Sequence, residues 1–154
     1  KNTSPLIFCM PLPLPDENSK RFIAVLNKKI EVGRLMNALG HMTAGLAGKT
    51  GAADEMCFLR YEDQDGGVHP HISHFPFIVL KADNSNQIRT VRAECLKRGL
   101  AFGDFTGTMT VGTSQEQQER TRATREAELE YYGIVMFGET GELKEFTRKF
   151  SLFL

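Results

Sequence analysis

Five side chains in two short stretches could together form a small polar site. Lys29, Arg34 and His41 lie in Asn27 to Leu46 (NKKIEVGRLMNALGHMTAGL), and Asp104 and Thr108 lie in Gly99 to Met109 (GLAFGDFTGTM). A lysine can stabilise developing negative charge, a carboxylate can orient or activate water, and a threonine hydroxyl can donate a hydrogen bond to a polarised carbonyl. The candidate catalytic set is therefore Asp104, Thr108, Lys29 and His41, with Lys28, Arg34 and Thr106 as binding residues. These residues act together only if the fold brings the exits of two strands to one hollow.

The elements around them read clearly. Arg21 to Asn27 is a short apolar run suited to a buried strand. From Glu31 the period changes, and Val32, Leu35, Met36, Leu39, Met42 and Leu46 recur at threes and fours, the mark of one helix face. Gly33, Gly40, Ala44 and Gly45 punctuate that helix. Each glycine costs about 1 kcal/mol against alanine, so close helix-on-sheet packing is the expected compensation, with room for a ligand as the sharper reading. Gly48 to Asp54 reads as turn-rich, Met56 to Tyr61 as a strand, and Glu62 to His74 as a polar loop. Phe75 to Lys81 is a strong strand with Pro76 near its start. Asn84 to Arg98 is an amphipathic helix, capped by Asn84 or Ser85 and closed by Gly99 at C′. Strands at Leu100 to Phe105 and Tyr131 to Phe137 and a helix at Thr140 to Phe150 complete the pattern, with apolar Ser151 to Leu154 docking at the end. Strands alternating with amphipathic helices predict an α/β sandwich: one domain, residues 20–154, with a mixed sheet of four or five strands covered by helices. Ser114 to Glu130 is polar throughout until Leu129 and reads as a solvated helical insertion.

Bulk properties narrow the function classes. Of the 154 residues, 19 are Lys or Arg and 19 Asp or Glu, and this zero formal charge argues against a chain built to coat nucleic acid. A local excess remains, because Lys20, Arg21, Lys28, Lys29 and Arg34 face only Glu31 within fifteen residues. No apolar run approaches the roughly 18 residues of a membrane span. Pro5 to Pro15 is apolar but holds four prolines, which spoils it as a signal-peptide core and predicts an extended arm over residues 1–19. Three widely spaced cysteines (Cys9, Cys57, Cys95) predict reduced, buried thiols in a cytoplasmic protein. Cys9 has no identifiable base and is not expected to act as a nucleophile.

Three of the four histidines, His69, His71 and His74, share one stretch with Asp63 and Asp65. Imidazole and carboxylate suit zinc, but the spacing matches no firm ligand motif. A solvated loop is the expectation, with no metal and no cofactor.

The order of these segments resembles the type-two peptidyl-tRNA hydrolases of archaea and eukaryotes. It resembles more closely a bacterial family of unknown function that shares their fold. The resemblance spans roughly residues 20 to 153, with Ser114 to Glu130 as extra material. It rests on KKIEVGRLMNALGH, FPFIVLKA, the helix ending RGL, the GDFTGT turn and YGIVMFGETGELKEF. It implies that Lys29 and Arg34 match the first and last cations of a lysine-rich loop, with Val32 where another lysine stands. His41 matches a helix histidine, with Gly40 replacing the serine before it. Asp104 and Thr108 keep the spacing of an Asp-Ala-Gly-x-Thr turn, Met109 replaces the following glutamine, and Gly133 falls where a later threonine stands. Arginine in place of lysine is not a silent change, because the guanidinium is planar and cannot serve as a base. An inherited fold need not carry an inherited reaction. Two readings follow: a small-ligand-binding protein, dimeric by analogy of fold, with a small anionic ligand as its partner; and a hydrolase of peptidyl-tRNA or a related acyl ester using Asp104 and Thr108.

Overall fold

The computed structural model describes residues 13–49 and 51–154. Most of the expected N-terminal arm, residues 1–12 with Cys9, lies outside them.

Alternation along the first strand, β1 (Lys20–Asn27), organises the whole molecule. Phe22, Ala24 and Leu26 face one way and Ile23 and Val25 the other, and all five are buried. A strand buried on both faces must be central. β1 pairs in parallel with β4 (Phe77–Ala82) and antiparallel with β6 (Tyr131–Glu139). β5 (Ala101–Thr106) adds to the far side of β6, and the two-residue β7 (Ser151–Leu152) covers the far side of β4. The five-stranded mixed sheet runs β5-β6-β1-β4-β7. β5 and β1 both oppose β6, so β1, β4 and β5 end at one edge.

Helix α1 (Val32–Gly48) covers the Phe22–Ala24–Leu26 face through Leu35, Ala38, Met42 and Leu46. The other face is closed by α3 (Ser85–Arg98) and α5 (Thr140–Thr147), with Ile88, Val91, Cys95 and Leu143 fully or almost fully buried. The end signals of α3 work as the sequence predicts: Asn84 accepts the Gln87 N–H at 3.0 Å, and Gly99 takes a left-handed conformation with φ 65°.

Four readings need correction. The stretch 62–74 is not simply a loop: β2 (Phe58–Glu62) and β3 (Val68–Ser73) form a separate antiparallel pair. Asp63 Oδ1 accepts the N–H groups of Asp65 and Gly67 at the turn, while β3 lacks an apolar face to announce it. Ala52–Met56 forms a short helix, α2, that begins in the supposed turn and takes the first residue of the supposed strand. The α1 glycines do not serve sheet packing, because a Cβ on Gly33, Gly40 or Gly45 would meet nothing within 4 Å. The close approach comes from the sheet instead: a Cβ at Gly103 would sit 3.1 Å from the Met42 carbonyl oxygen, and one at Gly133 would sit 2.6 Å from Leu26. Finally, Cys57 is disulfide-bonded rather than a free thiol, whereas Cys95 is free and buried.

The polar stretch after β5 begins with a 3-10 turn at Gly107–Met109, followed by α4 (Ser114–Arg122) and a second 3-10 turn at Glu126–Glu128. No residue of α4 is buried. Hydrogen bonds hold it: a Thr113–Glu116 capping box at its start, and Arg120 donating to the carbonyls of Thr108 and Val111 at 3.1 and 3.0 Å. Among the described residues, no helix is long and apolar enough to cross a membrane.

Candidate functional site

The edge where β1, β4 and β5 end gathers most of the expected residues. Asn27, buried, fixes the exit of β1: its amide donates to the Tyr131 carbonyl at 3.0 Å, and its side-chain oxygen accepts the Lys29 N–H at 3.0 Å. Lys28 pairs with Asp83, the residue after β4, at 2.5 Å, and this ion pair holds the Asp83 carboxyl below its usual range. Lys29 is exposed, and its ammonium makes no ion pair among the described residues. Arg34, one turn into α1, makes a long contact of 3.6 Å with Glu31 and is largely exposed.

The exit of β5 is occupied differently. Thr106, Thr108 and Thr121 form a hydroxyl chain, with steps of 2.7 and 2.8 Å, that ends on the Gln117 carbonyl at 2.7 Å. These hydroxyls pin α4 to the strand exit. Asp104 lies earlier on β5, and alternation decides where it points. Gly103 and Phe105 face α1, so Asp104 faces α3, where its carboxylate accepts a hydrogen bond from Arg92 Nε at 2.8 Å. That ion pair is partly shielded, with the Asp104 side chain 18% exposed. Asp104 and His41 therefore present their functional groups to opposite faces of the sheet, and Lys29 stands at the strand-exit edge.

On the α1 face there is a hollow of about 440 Å³ between α1, β5 and the start of α4. Its wall includes His41, Gly45, Phe105, Met109 and Gln117, and Asp104 borders it. The His41 ring lies over Phe105, centroids 6.0 Å apart, and its nitrogens take no hydrogen bond among the described residues. Lys28, Lys29 and Arg34 are not part of the wall. The hollow thus has an apolar floor, the His41 imidazole, the Gln117 amide, whose nitrogen already donates to the Gly112 carbonyl at 3.2 Å, and a gap where Gly45 carries no side chain. Pockets of this size and mixed lining suit small molecules.

Sequence reasoning missed Gly103, Met109 and Gln117. An isolated glycine inside a strand is a signal of close backbone approach, so Gly103 could have been found. Gln117 could not, because nothing in a uniformly polar helix tells which side chain faces a cavity.

The histidine-rich segment does not assemble. His69 bonds Asp63 at 2.9 Å, a contact that lowers the Asp63 pKa, while His74 bonds the Pro15 carbonyl at 2.6 Å. His71 sits on β3 with φ 70°. Among the described residues no three His, Cys, Asp or Glu side chains gather in a way that could hold a metal ion.

Comparison with known proteins adds fold but no activity. A family model described as "Protein of unknown function (DUF2000)" matches residues 20–153. No curated protein matches the chain. Among solved structures, a protein of unknown function from Agrobacterium tumefaciens strain C58 superposes with a TM-score of 0.75 at 17% identity, covering 88% of this chain and 98% of its own. At that identity the likeness speaks for the fold alone.

Proposed function

The chain belongs to the DUF2000 family of proteins of unknown function, and from that premise we propose that it is a small-ligand-binding protein whose ligand occupies the hollow between α1, β5 and α4. The observation that carries this reading is the pairing of an open Gly45 position with an uncommitted His41 over Phe105, in a hollow of about 440 Å³. A glycine that packing does not require, on a helix it weakens, is accounted for by the space it leaves. Phe105 and Met109 supply apolar contact, and the His41 ring and the Gln117 side-chain oxygen supply directional hydrogen bonds.

Binding is favoured over hydrolysis because the groups that would do chemistry are committed elsewhere. Asp104 is held by Arg92, and the Thr108 hydroxyl belongs to the chain that pins α4. The resemblance to type-two peptidyl-tRNA hydrolases keeps an acyl-ester hydrolase as the second reading. Its support is Lys29, whose ammonium makes no ion pair among the described residues, at the same sheet edge as Thr106 and Thr108.

Thermal-shift measurements with small carboxylates, amino acids and nucleotides test the first reading. A ligand at about a hundred times its Kd stabilises by about 2.7 kcal/mol, which raises Tm by roughly 5–10 °C for a chain of this size. Gly45→Leu, which fills the gap, is expected to abolish the shift. A shift unchanged by Gly45→Leu, or none across the panel, removes the hollow as the site. Release of peptide from peptidyl-tRNA, cut at least tenfold by Asp104→Asn, would favour the second reading instead.

A further inference from the structure

The hollow beside His41 does not end at α4. A second hollow of about 540 Å³ lies along that helix, and Met109, Ser114 and Gln117 form part of both walls. The second wall continues through Thr121 to Arg122. Thr121 is tied to the Thr108 hydroxyl, whereas Arg122 is exposed and makes no ion pair or hydrogen bond among the described residues. Arg120, two residues earlier, shows what a committed arginine looks like here: its guanidinium grips two backbone carbonyls.

Building on the small-ligand reading, we propose that the two adjoining hollows form one elongated site, and that its ligand has an apolar body and a single anionic end. The body lies on Phe105 and Met109 beside Gly45, and the anionic group, a carboxylate, sulfonate or phosphate, meets Arg122. A guanidinium presents a planar fork of donors matched to such oxyanions. The apolar floor and the cation stand at opposite ends of one groove, so length and polarity are selected together. The polar stretch 114–130 is then the part of the chain that sets ligand class, because α4 supplies Ser114, Gln117, Thr121 and Arg122.

Two fluorescent probes with one skeleton separate the two ends: 1-anilinonaphthalene-8-sulfonate and its uncharged counterpart, N-phenyl-1-naphthylamine. Titrated into the full chain, the sulfonate is expected to bind saturably and more tightly than the neutral probe. Arg122→Gln, at an exposed position the fold does not need, should weaken the sulfonate about tenfold and leave the neutral probe within about twofold. Arg125→Gln removes a nearby cation outside the groove and should change neither, and Gly45→Leu should weaken both. Equal affinity of the two probes, indifferent to Arg122→Gln but sensitive to Gly45→Leu, overturns this inference and leaves the hollow as a binding site. Sulfonate binding lost with Arg122→Gln but unaffected by Gly45→Leu also overturns it, because the anion would then bind without the hollow. Absence of saturable binding by either probe removes the small-ligand reading and this inference together.

Discussion

The two faces of the sheet are made from alternate residues of the same strands, yet they treat polar groups in opposite ways. On the α3 and α5 face the arginines Arg89, Arg92 and Arg98 are all committed. Arg92 holds Asp104, and Arg89 pairs with Glu126 at 2.9 Å while also bonding the Leu129 carbonyl at 3.0 Å. The Tyr131 hydroxyl donates to the same Glu126 at 2.9 Å. Beneath them lies a closed apolar layer with Cys95 at its centre. On the α1 face, Arg34 is the only Lys, Arg, Asp or Glu of a seventeen-residue helix, whose glycines open outward and whose neighbour α4 buries nothing. Both faces leave space, but of different character: the hollow of about 640 Å³ between α3 and α5 is ringed by charged residues such as Glu94, Lys97, Arg98 and Glu145, whereas the hollow of about 440 Å³ beside α1 is walled mostly by uncharged ones. That contrast in charge, more than any single residue, is the ground for proposing the site beside α1, and the Asp104 carboxylate, paired with Arg92, belongs with the charged face.

The comparison can be broken by experiment. The largest effect should come from the α3 and α5 face at high pH. Burial raises the Cys95 thiol from 9.0 to about 12, a difference worth about 4 kcal/mol once both states are ionised. The folded pKa is the higher one, so this stabilisation is complete below pH 9 and is lost as pH rises toward 12. Denaturant midpoints should therefore fall more steeply between pH 9 and 12 for the parent than for Cys95→Ala, and parallel profiles would mean that the layer is not dry. Next, Gly133→Val places methyl groups where a Cβ alone would meet Leu26 at 2.6 Å and the Val25 carbonyl oxygen at 3.1 Å. A loss of about 3 kcal/mol is expected in urea unfolding, against a small gain for Gly45→Ala, whose Cβ meets nothing. Arg92→Leu should cost about 1 kcal/mol, since the pair it breaks is only partly shielded, whereas exposed Arg34→Leu should cost almost nothing. A further small effect concerns Thr43 on α1, whose buried hydroxyl has no hydrogen-bond partner among the described residues. Thr43→Val should be neutral or stabilising by up to about 1 kcal/mol. A clear loss would mean that the hydroxyl is satisfied in solution.

Much of the scaffold was readable from residue order because the signals were local and redundant. The run Phe22 to Leu26, the 3.6-residue period from Val32 to Leu46, and the Asn84 and Gly99 caps each follow from short-range physics. The β2–β3 hairpin was not readable, because Val68–Ser73 is exposed along almost its whole length and carries Pro70, so no alternation marks it. The site was half readable. His41 could be picked out by type, and the two strand exits do share an edge. The direction of Asp104 depends on whether Gly103 or Asp104 faces α1, a matter of strand register that composition does not carry. The places of Gln117 and Arg122 in the walls of the two hollows depend on how a polar helix settles, which its sequence leaves open.

β7 is only two residues long, yet Leu152 and Ser151 pair with Leu80 and Lys81, and the Phe153 N–H reaches the Val79 carbonyl at 2.9 Å. That clip shields the outer rim of Phe77–Ala82, an apolar β-rich strand. Protein clipped before Ser151 would keep its folded body but bare that rim as a template for stacking further copies, so proteolytic trimming should show first as turbidity.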